Sequence, residues 1–404
     1  MKLPQDALAA FVEAVEDGCT IPPIDGTGHM QATVAAMLRP TWAKVPGADH
    51  HMLPRTGSKP GDPLADTLFG FLMARAMAMI SERFETEKLT TTWNGQTLIA
   101  PCVAWVDDAI FHVEAPARLL YSKTLCALRI IHEEMLRVGL QLNYGSGKTE
   151  VLACYWGRHS TQSAQAFYKE VGGIYRVWNE FDGMLRVRTV PHYKHLGGFI
   201  TRNLSLHPEL RIRRAQMHQQ LHGLKRCALA DETLPLTHRQ ALLQSLGLSV
   251  LTLHAGTWRP LRKCEWSSWH GATMSAYQYL HPRAPDGSIT HRTSLALAVA
   301  ANAPMPHALL HLRRLRVLTQ ICRHGPGMVL DNVVCHHGLC GDESWLSGVQ
   351  QALVWARSNS DDREWIPALD NLSDPAAWTA LHSQWYLLQM MVPYVRHAAL
   401  LPAR

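Results

Sequence analysis

Two short apolar runs, Leu98 to Val106 and Ala109 to Val113, are separated by the acidic pair Asp107-Asp108. Apolar runs of this length on either side of a turn-forming pair read as the arms of a β-hairpin with the aspartates at its tip. Such a hairpin has one apolar face that other elements must cover, and the flanking sequence offers helices. Asp62 as N-cap, Pro63 in the first turn and Asp66 against the helix dipole mark a helix start; this helix is expected to run to about Ile80. Pro116 to Val138 has helical spacing and ends at Gly139. Ala7–Val15 and His29–Leu38 read as short helices, and Trp42–Leu53 as extended. Short strands are expected near Thr149–Tyr155, Leu185–Val190 and Gly198–Thr201. From His207 onward, long helical segments separated by Pro and Gly dominate, so a domain boundary is expected near residue 203.

Composition narrows the class of partner. The chain has 404 residues, 47% hydrophobic and 18% charged, with a net charge of +6 and a pI near 8.8. This is a globular composition with a basic excess that suits a polyanion such as nucleic acid. The nine cysteines are scattered and odd in number, which points to a reducing compartment. Met1–Gly18 carries four carboxylates, unlike a targeting signal. The most apolar run, Leu64–Ile80, is broken by Asp66 and Arg75, so no membrane partner is expected. The expected location is intracellular, in nucleus or cytoplasm.

An Asp-Asp pair on a rigid hairpin has two readings: a solvated turn, or carboxylates held for divalent metal. Phosphoryl transfer uses two Mg²⁺ ions about 3.5–4 Å apart on hard oxygen ligands. The order of neighbouring segments favours the second. Trp105-Val106-Asp107-Asp108 resembles the aromatic-x-Asp-Asp motif of reverse transcriptases. Upstream, Arg55-Thr56-Gly57-Ser58-Lys59-Pro60-Gly61-Asp62-Pro63-Leu64 followed by Leu68-Phe69 resembles their glycine-rich loop and helix. Downstream, Gly139-Leu140-Gln141-Leu142-Asn143 and Lys148-Thr149-Glu150 resemble the segment G-L-x-L-N-x-x-K-T-E. Tyr193-Lys194-His195-Leu196-Gly197 resembles the primer-grip turn. Four motifs in family order, over residues 5 to 203, make the chain similar to polymerases of retrotransposons that lack long terminal repeats.

The resemblance implies an α+β fold: a right-hand polymerase palm, an antiparallel sheet packed on helices, with partial fingers in residues 1–203. A helical thumb would follow in 204–285 and a further helical region in 286–404. It implies an RNA-directed DNA polymerase, with an RNA template, a DNA primer or duplex and deoxynucleotides as partners, and Mg²⁺ or Mn²⁺ as cofactor. Asp107 would bind both metals, with Asp108 a supporting ligand. Arg55, Gly57, Lys59, Gly61 and Asp62 would form the nucleotide and template loop. Lys148 would stabilise the leaving pyrophosphate, its alternative being an ordinary surface lysine. Tyr193, Leu196 and Gly197 would hold the primer end. Two departures weaken the match: Pro60 stands where the family has Gln, and Trp105 replaces Tyr or Phe.

A third carboxylate is also needed, in a D-x-x-x-A-F pattern. Asp6-Ala7-Leu8-Ala9-Ala10-Phe11 fits it literally, but only five residues, Pro4 among them, precede Asp6 where the family has an apolar strand. The expectation is therefore a chain truncated before Met1 and impaired in catalysis. The alternative is a non-catalytic remnant that binds nucleic acid.

Beyond the palm, His207, Arg211, Arg214, His218, His222 and Lys225 recur at helical steps on one face. Leu210, Met217, Leu221 and Leu224 form an apolar stripe beside them, expected to pack on the palm. Such a ridge suits phosphate tracking, with a solvated basic face as the alternative. Arg259, Arg262, Lys263, Arg313, Arg314 and Arg316 could extend it. Gly145-Ser146-Gly147-Lys148-Thr149 is no nucleotide-triphosphate loop, because Leu142 stands where that pattern needs glycine. The cluster Cys322, His324, Cys335, His336, His337 and Cys340 matches no zinc-finger spacing, so zinc is not expected.

Overall fold

The computed structural model of the chain describes residues 43–44, 51–52, 63–90, 92–93, 96–97, 102–105, 108–179, 183–281, 292–325, 327–359, 366–372 and 374–386. The expected helices at Ala7–Val15 and His29–Leu38 lie outside these residues. The protein is mixed α/β, mostly helical with small sheets. Its contacts divide it into two compact units, Met1–Pro191 and His192–Arg404. Residues 192–201, which carry the primer-grip resemblance, fall in the second of these units. Among the described residues no helix is long and apolar enough to cross a membrane.

In the first unit, β1 (Ala43–Lys44) pairs with β2 (His51–Met52). Helix α1, Pro63–Thr86, begins at the proline that the sequence marks. It runs beyond the expected end at Ile80 because its buried stripe, Met73, Ala76, Ile80 and Phe84, continues at steps of three and four. Its end carries no glycine signal. Lys88 takes the left-handed conformation (φ 53°), the amide of Leu89 bonds the Phe84 carbonyl at 2.8 Å, and that of Lys88 bonds Glu85 at 3.1 Å. These bonds satisfy the last carbonyls of the helix.

After a small hairpin, β3 (Thr92–Trp93) with β4 (Gln96–Thr97), come β5 (Cys102–Trp105) and β6 (Asp108–Phe111), paired antiparallel. Helix α2, Leu120–Arg137, starts four residues later than Pro116, which instead opens a turn closed by Leu119 N–H to Pro116 O at 2.7 Å. One face of α2 packs Ala127, Ile130, Ile131 and Met135 against α1 and the β5–β6 hairpin. Its other face, Tyr121, Leu125 and Leu128, meets a second cluster around Phe167, Tyr175, Val177 and Val187. That cluster lies under the largest sheet, in which β9 (Gly183–Thr189) is flanked by β8 (Ile174–Asn179), antiparallel, and β7 (Glu150–Val151), parallel. Helix α3 (Ser160–Glu170) supplies Phe167. β8 was not expected from the sequence, and the strand expected at Thr149–Tyr155 is only Glu150–Val151.

The second unit opens with the hairpin β10 (His192–His195) and β11 (Gly198–Thr201). Helix α4 (His207–Leu224) follows and continues through a π-helical turn, Lys225–Leu229. The helices α5 (Leu236–Leu242), α6 (Lys263–Tyr277), α7 (Ser294–Ala300), α8 (Pro306–His324), α9 (Gly327–Cys340), α10 (Trp345–Ser358) and α11 (Pro375–Ser383) complete it. Two apolar clusters form its interior. The first is built on α4, α6 and the start of α8, with Trp258 and Trp269 edge-to-face at 5.6 Å; the second is built on the rest of α8, α10 and α11. A 3₁₀ turn at Ala255–Thr257 lies so close to α8 that a Cβ on Gly256 would fall 2.5 Å from the Arg313 carbonyl oxygen. Glycine is the residue that allows this approach.

Within α8, the His311 ring stacks on Trp355 at 5.4 Å, and its Nδ1 is buried without a partner. Burial, with Arg314 and His307 nearby, pushes its pKa down to about 4. The unfolded chain binds this proton near pH 6.5 and the folded chain only near 4. The stability linked to His311 is thus complete above pH 6.5 and is lost as pH falls from 6.5 toward 4, by about 3 kcal/mol. Urea unfolding at pH 7 and pH 4 is expected to show this loss, and His311→Phe should flatten it. An unchanged slope in the variant would refute the assignment.

Candidate nucleic-acid interface

The β5–β6 register pairs Trp105 with Asp108, so Asp108 is the first residue of β6 rather than part of the tip where the sequence reading placed it. Along β6 the side chains alternate. Ala109 and Phe111 point to the α1–α2 core, where Phe111 lies 6.3 Å from Phe84. Asp108 and the exposed Ile110 take the opposite face. The hairpin thus holds a half-buried carboxylate on a strand, directed away from the apolar core. Asp107 lies outside the described residues, as do Asp6 and the loop residues Arg55, Gly57, Lys59, Gly61 and Asp62. An oxygen donor such as Asp108 suits Mg²⁺, but one carboxylate does not hold two ions. Among the described residues no three His, Cys, Asp or Glu side chains group as metal ligands.

The segment after α2 gives its motif residues structural tasks. Gly139 (φ 77°) and Leu140 end the helix with amide bonds to Leu136 and Met135, at 2.9 and 2.8 Å. The Asn143 side chain accepts from Gly145 N–H at 2.8 Å, and the Asn143 backbone carbonyl accepts from Thr149 N–H at 2.9 Å, which closes a tight loop. Glu150 fixes that loop to the sheet by accepting from Gly147 N–H (2.9 Å) and from the Arg188 guanidinium (2.6 Å). Lys148 is exposed on this braced loop.

The primer-grip resemblance falls on the β10–β11 hairpin, where Tyr193 pairs with Ile200. Its two tip residues both have positive φ, 47° at Leu196 and 82° at Gly197. This is the turn whose twist matches a two-residue hairpin. Leucine there is strained by about 1–2 kcal/mol, and its side chain is 44% exposed. The strain is held by fixing both tip carbonyls. His254 Nε2 lies 3.0 Å from Leu196 O, and the Arg213 guanidinium donates to Gly197 O. Arg213 is in turn paired with Glu209 at 2.7 Å, both almost fully buried. The other Glu209 oxygen accepts from Phe199 N–H at 2.8 Å. Glu209, Arg213 and His254 were missed by sequence reasoning. The Glu-x-x-x-Arg spacing within α4 was the available signal, hidden among other basic residues.

The remaining basic residues separate into two sets. Arg211 and Arg214 are exposed and, with His207 and Ser268, line a shallow groove of about 410 Å³. His218 turns inward to the Tyr279 hydroxyl at 2.9 Å. Burial first, then Arg214 and His222, lower its pKa, so it adds little positive charge at neutral pH. Lys225 lies 5.5 Å over the Tyr279 ring. The apolar stripe Leu210, Met217 and Leu221 packs into the helical cluster of its own unit. Two residues expected to extend the track do not. Arg259 is tied to Glu265 at 2.8 Å and to the Leu204 carbonyl, and Arg314 is buried. In the cysteine–histidine region, burial pushes the Cys322 thiol up to about 12, and His337 bonds Ser344 at 2.7 Å. Comparison with known protein families, with curated proteins and with solved structures gives no match to this chain.

Proposed function

We propose that the chain is a reverse-transcriptase-like polymerase of a mobile element: residues of the first unit act as a palm, and those of the second as a primer grip and thumb. The observation that carries this reading is Asp108 at the start of a hairpin strand packed against two helices, with Asp107 beside it in the sequence. The strained Leu196-Gly197 tip and the exposed Arg211 and Arg214 support it. On this reading Asp107 and Asp108 would hold Mg²⁺, Lys148 would face the leaving pyrophosphate, and α4 would follow the duplex backbone. Two-metal catalysis needs a further carboxylate, for which Asp6 is the candidate in this sequence.

Primer extension on poly(rA)–oligo(dT) with Mg²⁺ or Mn²⁺, comparing the chain with Asp107→Ala, tests the reading. The expected result is weak incorporation of dTTP that the variant abolishes. No incorporation, with salt-sensitive duplex binding retained, would identify a remnant that binds but does not polymerise. Loss of both would overturn the proposal.

A further inference from the structure

The β8–β9 ribbon has an outer face that the polymerase reading leaves without a role. Its inner face is apolar: Tyr175 opposes Val187 and Val177 opposes Leu185 over the core. Its outer face places Ile174 opposite Arg188, Arg176 opposite Arg186, and Trp178 opposite Met184. Trp178 is 63% and Met184 52% exposed, and Arg176 and Arg186 are exposed as well. Arg188 is neutralised by Glu150, whereas Arg176 and Arg186 pair with no carboxylate among the described residues.

Two like charges directly across a ladder destabilise it, and a large exposed Trp-Met pair gains nothing from water. Both features fit a partner that is anionic along its length and has flat faces to stack. We infer that this ribbon face binds a single strand of RNA, with Arg176 and Arg186 on successive phosphates and a base stacked on Trp178. Alternate residues on one face of a strand are about 6.6–6.8 Å apart, which spaces arginine and tryptophan along an extended strand. Stacking on an aromatic with flanking cations is the general means of holding single strands without sequence preference. A second copy of the chain is the poorer occupant, since it would bring the same arginines against these. The choice of RNA over DNA rests on the polymerase reading, in which the strand before copying is RNA.

The test is fluorescence anisotropy of the full chain with labelled oligo(U) RNA, and separately with the poly(rA)–oligo(dT) duplex. Trp178→Ala is expected to weaken oligo(U) binding by about tenfold, and Trp178→Phe to retain most of it. Arg176→Gln with Arg186→Gln is expected to lower the salt slope by about 1.4, two phosphate contacts at about 0.7 each. Duplex affinity should be unchanged in all three, which also shows that they fold. Wild-type oligo(U) affinity in Trp178→Ala and in the double variant would overturn the inference. So would conversion of a dimer to a monomer by Trp178→Ala in sedimentation. If the wild-type chain ignores the duplex but binds oligo(U) through Trp178, the ribbon stands and the polymerase reading falls.

Discussion

Arg213→Ala is expected to destabilise the helical unit by about 3–5 kcal/mol, the range for breaking one side of a buried ion pair. Three losses combine. Glu209, 2% exposed, is left charged and unpaired; the Gly197 carbonyl loses its donor; and the strained Leu196-Gly197 tip loses one of its two anchors. Removing both charges should cost much less, because Glu209→Gln with Arg213→Met leaves no isolated ion and keeps the volume. The Gln side chain can still accept from Phe199 N–H. Urea unfolding of the single and double variants measures the difference. A loss below about 1 kcal/mol in Arg213→Ala would mean that the hairpin is held by its own ladder. On the polymerase reading the same variant should impair primer extension more than binding of oligo(U), since the clamp touches the hairpin tip and not the β8–β9 ribbon.

The parts of this fold that were legible in the sequence are those with a local signal. The β5–β6 hairpin showed as two apolar runs about an acidic turn, and α1 showed its start through Asp62-Pro63. The apolar stripe Leu210, Met217 and Leu221 of α4 followed from helical spacing, whereas His218, read with the basic face, turns inward to Tyr279. What escaped depends on distant partners. Lys88 caps α1 in a conformation that glycine usually signals, so the helix end was placed too early. β8 was missed because Arg176 and the glycines before it interrupt any apolar run, although its alternation with β9 is regular once the two are paired. Arg213 went unnoticed among the basic residues of α4, and Arg314 read as part of a basic track. Their burial is decided by carbonyls and a carboxylate that no local pattern brings together.

Arg314 is the second site where a single change should have a large effect. It lies on α8 where that helix passes from one apolar cluster, through Leu309 and Leu310, to the other, through Leu312, Leu315 and Leu318. Burial lowers its pKa to about 10, so it remains charged at neutral pH. Carbonyl oxygens solvate the charge: Arg259 at 2.9 Å, Gly348 at 3.3 Å and Trp258 at 3.4 Å. A Cβ on Gly348 would fall 2.8 Å from the guanidinium carbon, so a larger residue there would push the Arg314 side chain off its carbonyl partners. Arg314→Ala removes the donors and leaves a cavity, with an expected loss of about 3–5 kcal/mol. Arg314→Met fills most of the space and ends the desolvation of a cation, yet still leaves the carbonyls unpaired; its expected loss is smaller by about 1–2 kcal/mol. Arg314→Lys keeps the charge without the planar fork that reaches two segments at once, Trp258-Arg259 and Gly348, and should fall nearer to alanine than to methionine. Thermal unfolding of the three variants ranks them, and a lysine variant as stable as the wild type would show that charge alone, not the geometry of the fork, holds α8 to α10.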